Sequence, residues 1–355
     1  MADLKLFRSQ HPDVFVLDWN APQSLDAYLR ARDWLRPNET VLSATRAGDG
    51  NMNYTARVRT TQRTLIVKQS RPWVEKYDFL EAPWDRARTE GIFYRTIESQ
   101  PGVQARMPAL LGLDENSRIL ALKDLGEAGD FTGIYAGEAL STPEVDELAA
   151  FLSALHAVVP SDKSQPILRN QAMRELNHAH IFDIPLRREN GLDLEAVTPG
   201  LAAAADSLKS DLAFVARTAE LGIRYLSNPA SGALLHGDFF PGSFLRTTAG
   251  IRIIDPEFCY LGDPEFDWSV LLAHAILAQQ SPELIAKIHQ HALGSRAGFD
   301  EALLLSFAGV EIMRRLIGYA QIARLKIDLT VKRALLDRAR LLVLEPSRAA
   351  REMTP

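Results

Sequence analysis

From Thr40 to Gln69 apolar and polar positions alternate in short runs. Val41-Leu42, Tyr54 to Val58 and Thr64 to Lys68 are rich in β-formers, and turn residues separate them at Ala47 to Asn53 and Thr60 to Arg63. This pattern predicts three antiparallel strands. After Pro83 the period lengthens, and Ala87, Ile92, Phe93 and Ile97 form a partial helical stripe over 85–97 with Asp85 as its cap. The apolar run Ile119 to Leu122 predicts a further strand, and Lys123-Asp124-Leu125-Gly126 a crossing to the rest of the chain. Beyond it Pro143 opens a helix with Val145, Leu148, Leu152 and Leu155 on one face. Residues 201–221 and 300–325 also read as helices. One β-like island interrupts them: Ala233 to His236, Phe244-Leu245, a Gly250 turn, and Ile251 to Ile254. The fold class is therefore α+β and bilobal, with a small antiparallel β-rich lobe over 1–122, a hinge at 123–126 and a large, mostly helical lobe over 127–355.

Composition narrows the function. A chain of 355 residues is long enough for two lobes with separate cores. The net charge of −5 and the scatter of basic residues argue against nucleic acid or an acidic membrane as partner. Met1 to Val16 lacks the apolar run of a signal peptide, and Val270 to Ala278, interrupted by His274, falls far short of the roughly 20 residues of a membrane span. A cytoplasmic protein is expected. Cys259 is the single cysteine, so neither an intrachain disulfide nor a cysteine-clustered metal site is available.

The densest chemistry lies in His236-Gly237-Asp238-Phe239-Phe240-Pro241-Gly242-Ser243, followed by Ile253-Ile254-Asp255-Pro256-Glu257. Asp238 and Asp255 each end a short apolar strand, and a hairpin through the Gly250 turn would bring both carboxylates to one edge. Phosphoryl transfer needs such a pair, one carboxylate to orient the attacking hydroxyl and another to hold magnesium on the phosphates. Ser243 is the polar residue five positions after Asp238. An Asp that merely caps a turn is the ordinary alternative, but the spacing of the whole string favours catalysis. His236 and Asp267 are expected to brace this loop rather than to react.

Gly48-Asp49-Gly50-Asn51-Met52-Asn53 lies between two predicted strands, where Gly and Asn let backbone N–H groups approach phosphate oxygens; an empty hairpin turn uses the same residues. Lys68 sits in an apolar strand. It either points to solvent or reaches the α- and β-phosphates, held by Glu90 of the next helix. Arg314 and Arg315 are adjacent on a helix, about 100° apart, and read on their own as a solvated pair.

These strings resemble the choline kinase and aminoglycoside phosphotransferase superfamily, and within it the 5-methylthioribose kinases. The likeness rests on His236 to Ser243, Asp255-Pro256-Glu257-Phe258, Gly48 to Asn53, Val67-Lys68-Gln69, Asp85 to Glu90, Asn177-His178 with Ile181-Phe182, and Arg314-Arg315 with Ile317-Gly318. The resemblance implies a protein-kinase-like fold with ATP at the hinge, Mg2+ as cofactor, and transfer to the 1-hydroxyl of methylthioribose; a related kinase for another sugar, an aminoglycoside or an amino alcohol is the alternative, and a non-catalytic nucleotide-binding protein a minor one. It implies Asp238 as base and Asp255, Glu257 and Ser243 as metal ligands. Gly48, Asp49, Gly50, Asn51, Asn53, Lys68, Glu90, Lys123 and Leu125 would bind the nucleotide. Arg314 and Arg315 would face the sugar, against their reading as a solvated pair, and a homodimer is expected. The chain departs from the family's usual Leu-His-Thr-Gly-Ser at Phe239-Phe240-Pro241-Gly242-Ser243, and Gly262 to Asp267 follows the wider superfamily.

Overall fold

The computed structural model describes residues 4–48, 50, 52–227 and 232–353. It divides into two compact units. The first comprises residues 1–128 together with Pro160–Met173 and Arg252–Cys259; the second comprises Gly129–Val159, Arg174–Ile251 and Tyr260–Pro355.

The first unit is built on an antiparallel sheet. β1 (Val41–Arg46), β2 (Tyr54–Thr60) and β3 (Thr64–Gln69) are the three strands predicted. β4 (Trp73–Val74) and β5 (Tyr77–Glu81) form a separate hairpin in a stretch the sequence leaves as a connection. β6 (Leu110–Asp114) and β7 (Ile119–Lys123) complete the main sheet in the order β1-β2-β3-β7-β6. Side chains alternate between faces along a strand. On β3, Leu65 and Val67 join Ala56, Val58, Ile119 and Ala121 in one core with Leu25, Leu29 and Trp34. Lys68 must then face the opposite side, where the Arg86–Ile97 helix packs on β6 and β7. Gly91 permits that approach: a Cβ there would lie 2.6 Å from a Leu113 methyl. Asp85 does not cap the helix. Its carboxylate accepts from Arg118 Nε at 2.5 Å instead, and no side-chain cap is made.

The second unit is mostly helical. The Glu265–Leu277 helix is buried along its whole length, and the Glu301–Ile317 helix from Leu303 onward. The two pack on each other. Thr142–His156 buries the predicted Val145, Leu148, Leu152 and Leu155, and its N-terminus closes with a Ser141–Glu144 capping box. The helix expected over 201–221 is two, Leu201–Lys209 and Leu212–Leu226, because Asp211 caps the second through Ala213 and Phe214 N–H. The helix expected over 300–325 stops at Ile317. Gly318 is extended there, and a Cβ on it would meet the Arg314 carbonyl at 2.6 Å.

The β-like island also resolves differently. β8 (Gly129–Asp130) pairs with β10 (Phe244–Thr247), whereas β9 (Ala233–Leu235) pairs with β12 (Tyr260–Gly262). The Gly250 turn joins β10 to β11 (Gly250–Ile253). Asp238 follows β9 and Asp255 follows β11, so the predicted hairpin between the two carboxylate-bearing strands is not formed. Short apolar strands carry too little pattern to name their partners. Among the described residues no helix is long and apolar enough to cross a membrane.

Candidate active site

In the first unit, Lys68 Nζ lies 2.9 Å from both Glu90 carboxylate oxygens and 2.7 Å from Oδ1 of Asp255. Lys68 and Glu90 are 4% and 0% exposed, so this lysine does not point to solvent. Burial opposes the Lys68 ammonium, but Asp255, Glu90 and Glu257 outweigh it and hold its pKa well above the ordinary lysine value. Burial pushes the Glu90 carboxyl up, and Lys68 offsets part of that push.

Asp255 sits in the left-handed region, at φ 62° and ψ 53°. For an L-residue this costs roughly 1–2 kcal/mol, though Asp tolerates it better than most. The turn aims its carboxylate at Lys68 and starts the Pro256–Phe258 turn that carries Glu257. Glu257 is partly buried, and the protein around it pushes its carboxyl up to about 7, against the pull of Lys68. Asn53 Nδ2 donates to Glu257 Oε2 at 2.6 Å, and Asn53 Oδ1 accepts from Arg86 Nε at 2.8 Å. Arg86 is almost wholly buried. It also donates to the carbonyls of Met52, Arg71, Trp73 and Pro83.

Two carboxylates on one short turn supply hard oxygen donors, and burial raises the Glu257 carboxyl, a push that a cation beside it would oppose. That set fits Mg2+, which takes one or two carboxylates and completes its shell with phosphate and water. Among the described residues no three His, Cys, Asp or Glu cluster as an all-protein cage.

Gly48 has φ +64°, with open space around it, and the Gly50 carbonyl accepts from Arg46 Nη2 at 3.3 Å. Asp49 and Asn51 lie outside the described residues. Lys123 ends β7 exposed, and Leu125 is half-buried; Asp124 between them pairs with Arg57, whose Nη2 donates to its Oδ1 at 3.2 Å.

In the second unit, Asp267 is fully buried and accepts from the N–H groups of His236 and Gly237 at 2.8 and 2.9 Å. His156 Nε2 lies 3.0 Å from the same carboxylate. Gly237, at φ +82°, turns the chain so that Asp238 leaves the loop. Ser243 Oγ donates to the Asp238 carbonyl at 3.1 Å, and the Phe239 ring stacks on Phe151. These contacts fix the backbone of Asp238. Its side chain is 22% exposed.

Arg315 Nη2 lies 3.1 Å, and Arg314 Nη2 3.5 Å, from Oδ1 of Asp238. Both arginines are buried, which overturns their reading as a solvated pair. Adjacent residues diverge on a helix, but Glu311, one turn earlier, accepts Nε–H from each and folds both side chains the same way. Glu311 and Arg86 carry no signal of their own in the sequence. Glu311 is marked only by its spacing from the arginine pair, and Arg86 by its place in the string around Glu90.

A methylthioribose kinase of Bacillus pumilus is 25% identical over 332 residues, 80% of this chain and 81% of the relative. One from Geobacillus sp. is 26% identical over 342 residues, 84% and 83% of the two chains. Among solved structures, a spectinomycin phosphotransferase in complex with ADP and spectinomycin matches with TM-score 0.52 at 16% identity, covering 94% of each chain. Ethanolamine kinase of Plasmodium vivax matches with TM-score 0.53 at 10% identity, over 99% of this chain and 94% of that one. The α+β, protein-kinase-like architecture is thereby shared. The profile of the phosphotransferase enzyme family covers residues 43–305, and the chain belongs to that family.

Proposed function

We propose that this small-molecule kinase transfers the γ-phosphoryl of ATP to the 1-hydroxyl of 5-methylthioribose. The observation that carries the reading is Asp238, ordered by its loop and touched on one oxygen by two buried arginines. Its second oxygen suits the acceptor hydroxyl and its proton, while the guanidiniums suit the negative charge that arrives with the phosphoryl group. The methylthioribose kinases among the relatives supply the acceptor.

In the first unit, Lys68, kept charged by Glu90 and Asp255, suits the α- and β-phosphates of ATP. Gly48, Gly50 and Asn53, with Asp49 and Asn51 between them, suit the phosphate chain, and Lys123 and Leu125 the rest of the nucleotide. Asp255 and Glu257 would hold Mg2+, and the metal supplies charge neutralisation on the phosphates. Such a site works by positioning and electrostatics rather than by covalent chemistry. A cytoplasmic location and a homodimer are part of the same proposal.

The test is ADP release with 5-methylthioribose, beside other sugars and amino alcohols. Turnover of methylthioribose, and its fall by about 10²–10⁴ in Asp238→Ala, are expected. Wild-type turnover in that variant would overturn the role of Asp238. Phe240 favours a second reading, because its ring lies 5.1 Å from Cζ of Arg315, the arginine that reaches Asp238. Turnover of another sugar or amino alcohol with none on methylthioribose would select it.

A further inference from the structure

Behind Asp238 the second unit holds a buried hydrogen-bonded chain. Glu311, 2% exposed, accepts from Arg314 Nε and Arg315 Nε, the latter at 2.7 Å, and lies 3.1 Å from Nε2 of the fully buried His274. His274 Nδ1 lies 2.5 Å from the Tyr135 hydroxyl. Phe240 covers the array, its ring 5.6 Å from that of His274.

The direction of each bond follows from the donors available. Glu311 stays ionised: burial pushes its carboxyl up, but Arg314, Arg315 and His274 together hold it well below the usual carboxylate range. Burial keeps His274 neutral, with a pKa of about 4. A carboxylate only accepts, so the single imidazole proton belongs on Nε2 and points at Glu311. Nδ1 is then an acceptor, and Tyr135 O–H donates to it. Every polar atom of the array has a complementary partner, the condition under which a buried network is rigid.

The geometry points to Glu311 as a positioning residue, with His274 and Tyr135 behind it: together they aim both guanidiniums at Oδ1 of Asp238 and keep its other oxygen for the acceptor hydroxyl. This rests on the reading of Asp238 given above. A carboxylate shared at Nε leaves each arginine's outer nitrogens free to turn toward Asp238, a fork that a lysine pair could not reproduce. Replacing Glu311 would leave the arginines charged but unaimed. The loss should therefore fall on the chemical step and not on nucleotide binding.

The test measures ADP release by the full chain with ATP and 5-methylthioribose, or with whichever sugar or amino alcohol of the same panel is turned over. Glu311→Gln is expected to lower kcat by about 10–10²-fold, with KM for ATP within about two-fold. Tyr135→Phe, which removes one oxygen, should lower kcat by about 3–10-fold. The double variant should be no slower than Glu311→Gln alone, because the tyrosine acts through the glutamate. Imidazole 15N shifts of the wild-type chain should show His274 protonated on Nε2 and bare on Nδ1, which needs neither a variant nor an acceptor. Wild-type kcat in Glu311→Gln while Asp238→Ala is inactive, or the opposite tautomer of His274, overturns the positioning role alone. Turnover retained in Asp238→Ala, or no acceptor turned over, overturns the reading beneath it.

Discussion

Asn53 Nδ2 donates to Oε2 of Glu257 at 2.6 Å, across 204 residues of sequence. The amide is not free to turn round, because its oxygen is engaged by Arg86 Nε. One buried guanidinium thus orients the end of the Gly48–Asn53 loop and, through it, a proposed metal ligand. Asn53→Ala breaks both bonds and leaves a buried charged donor short of an acceptor, so it should cost about 1–3 kcal/mol of stability. Asn53→Asp keeps the Arg86 acceptor but sets an oxygen against Glu257, and should lower turnover while sparing more of the stability. Urea midpoints at constant m, read beside ADP release, separate the two bonds.

The Lys68 cluster makes a sharper prediction. Glu90 is fully enclosed and Lys68 is its main counter-charge. Lys68→Met should destabilise the chain by about 3–5 kcal/mol, since it strands a buried carboxylate. Adding Glu90→Gln removes the stranded charge, so the double variant should be more stable than Lys68→Met alone, although equally inactive. Thermal melts of the four members of this cycle decide it; a double variant less stable than Lys68→Met would show that the pair is not coupled in this way.

What the sequence could say followed from how local each signal was. β1 to β3 were legible because alternation and turn residues lie within thirty positions of one another. The partner of β9 was not, since β12 lies beyond two other strands and three residues carry no register. Asp238, Asp255 and Lys68 stood out as charged residues at the ends or in the middle of apolar runs. Glu311, Arg86 and Tyr135 did not, because a buried polar group is recognised by its partners, and theirs lie far along the chain. The arginine pair shows the limit most clearly. Helical geometry says that neighbours diverge, and only the carboxylate one turn earlier turns both the same way.

That pair should not respond evenly to substitution. Arg315 uses three directions at once, Nε to Glu311 at 2.7 Å, Nη1 to the Ala320 carbonyl at 3.2 Å and Nη2 to Asp238 at 3.1 Å. Arg314 reaches Asp238 only at 3.5 Å. A lysine has one nitrogen and no fork, so Arg315→Lys gives up more than Arg314→Lys. With charge-assisted bonds contributing about 1.5–3 kcal/mol, Arg315→Lys should lower kcat by about 10–10²-fold, and Arg314→Lys by clearly less. Steady-state kinetics on both variants, with the acceptor saturating, would show the order; a larger loss in Arg314→Lys would contradict it.

His274 gives the chain an acid sensitivity whose sign is fixed by the direction of its shift. Burial is the main cause of its low pKa, about 4, and Arg315 adds to it, while Glu311 and Asp238 pull the other way. In the unfolded chain the imidazole returns to about 6.5. Between these values the unfolded state carries a proton that the folded state lacks, so stability is complete above pH 6.5 and falls as pH drops toward 4. At pH 5 the contribution lost is about 2 kcal/mol, from 1.36 kcal/mol for each unit of separation. His274→Gln has no such proton to gain. The stability advantage of the wild-type chain over that variant should therefore shrink by about 2 kcal/mol between pH 7 and pH 5, measured by urea denaturation at both. An advantage that stays constant, or grows on acidification, would mean that His274 is already protonated in the folded state, and Glu311 would then face a cation where a neutral ring is inferred.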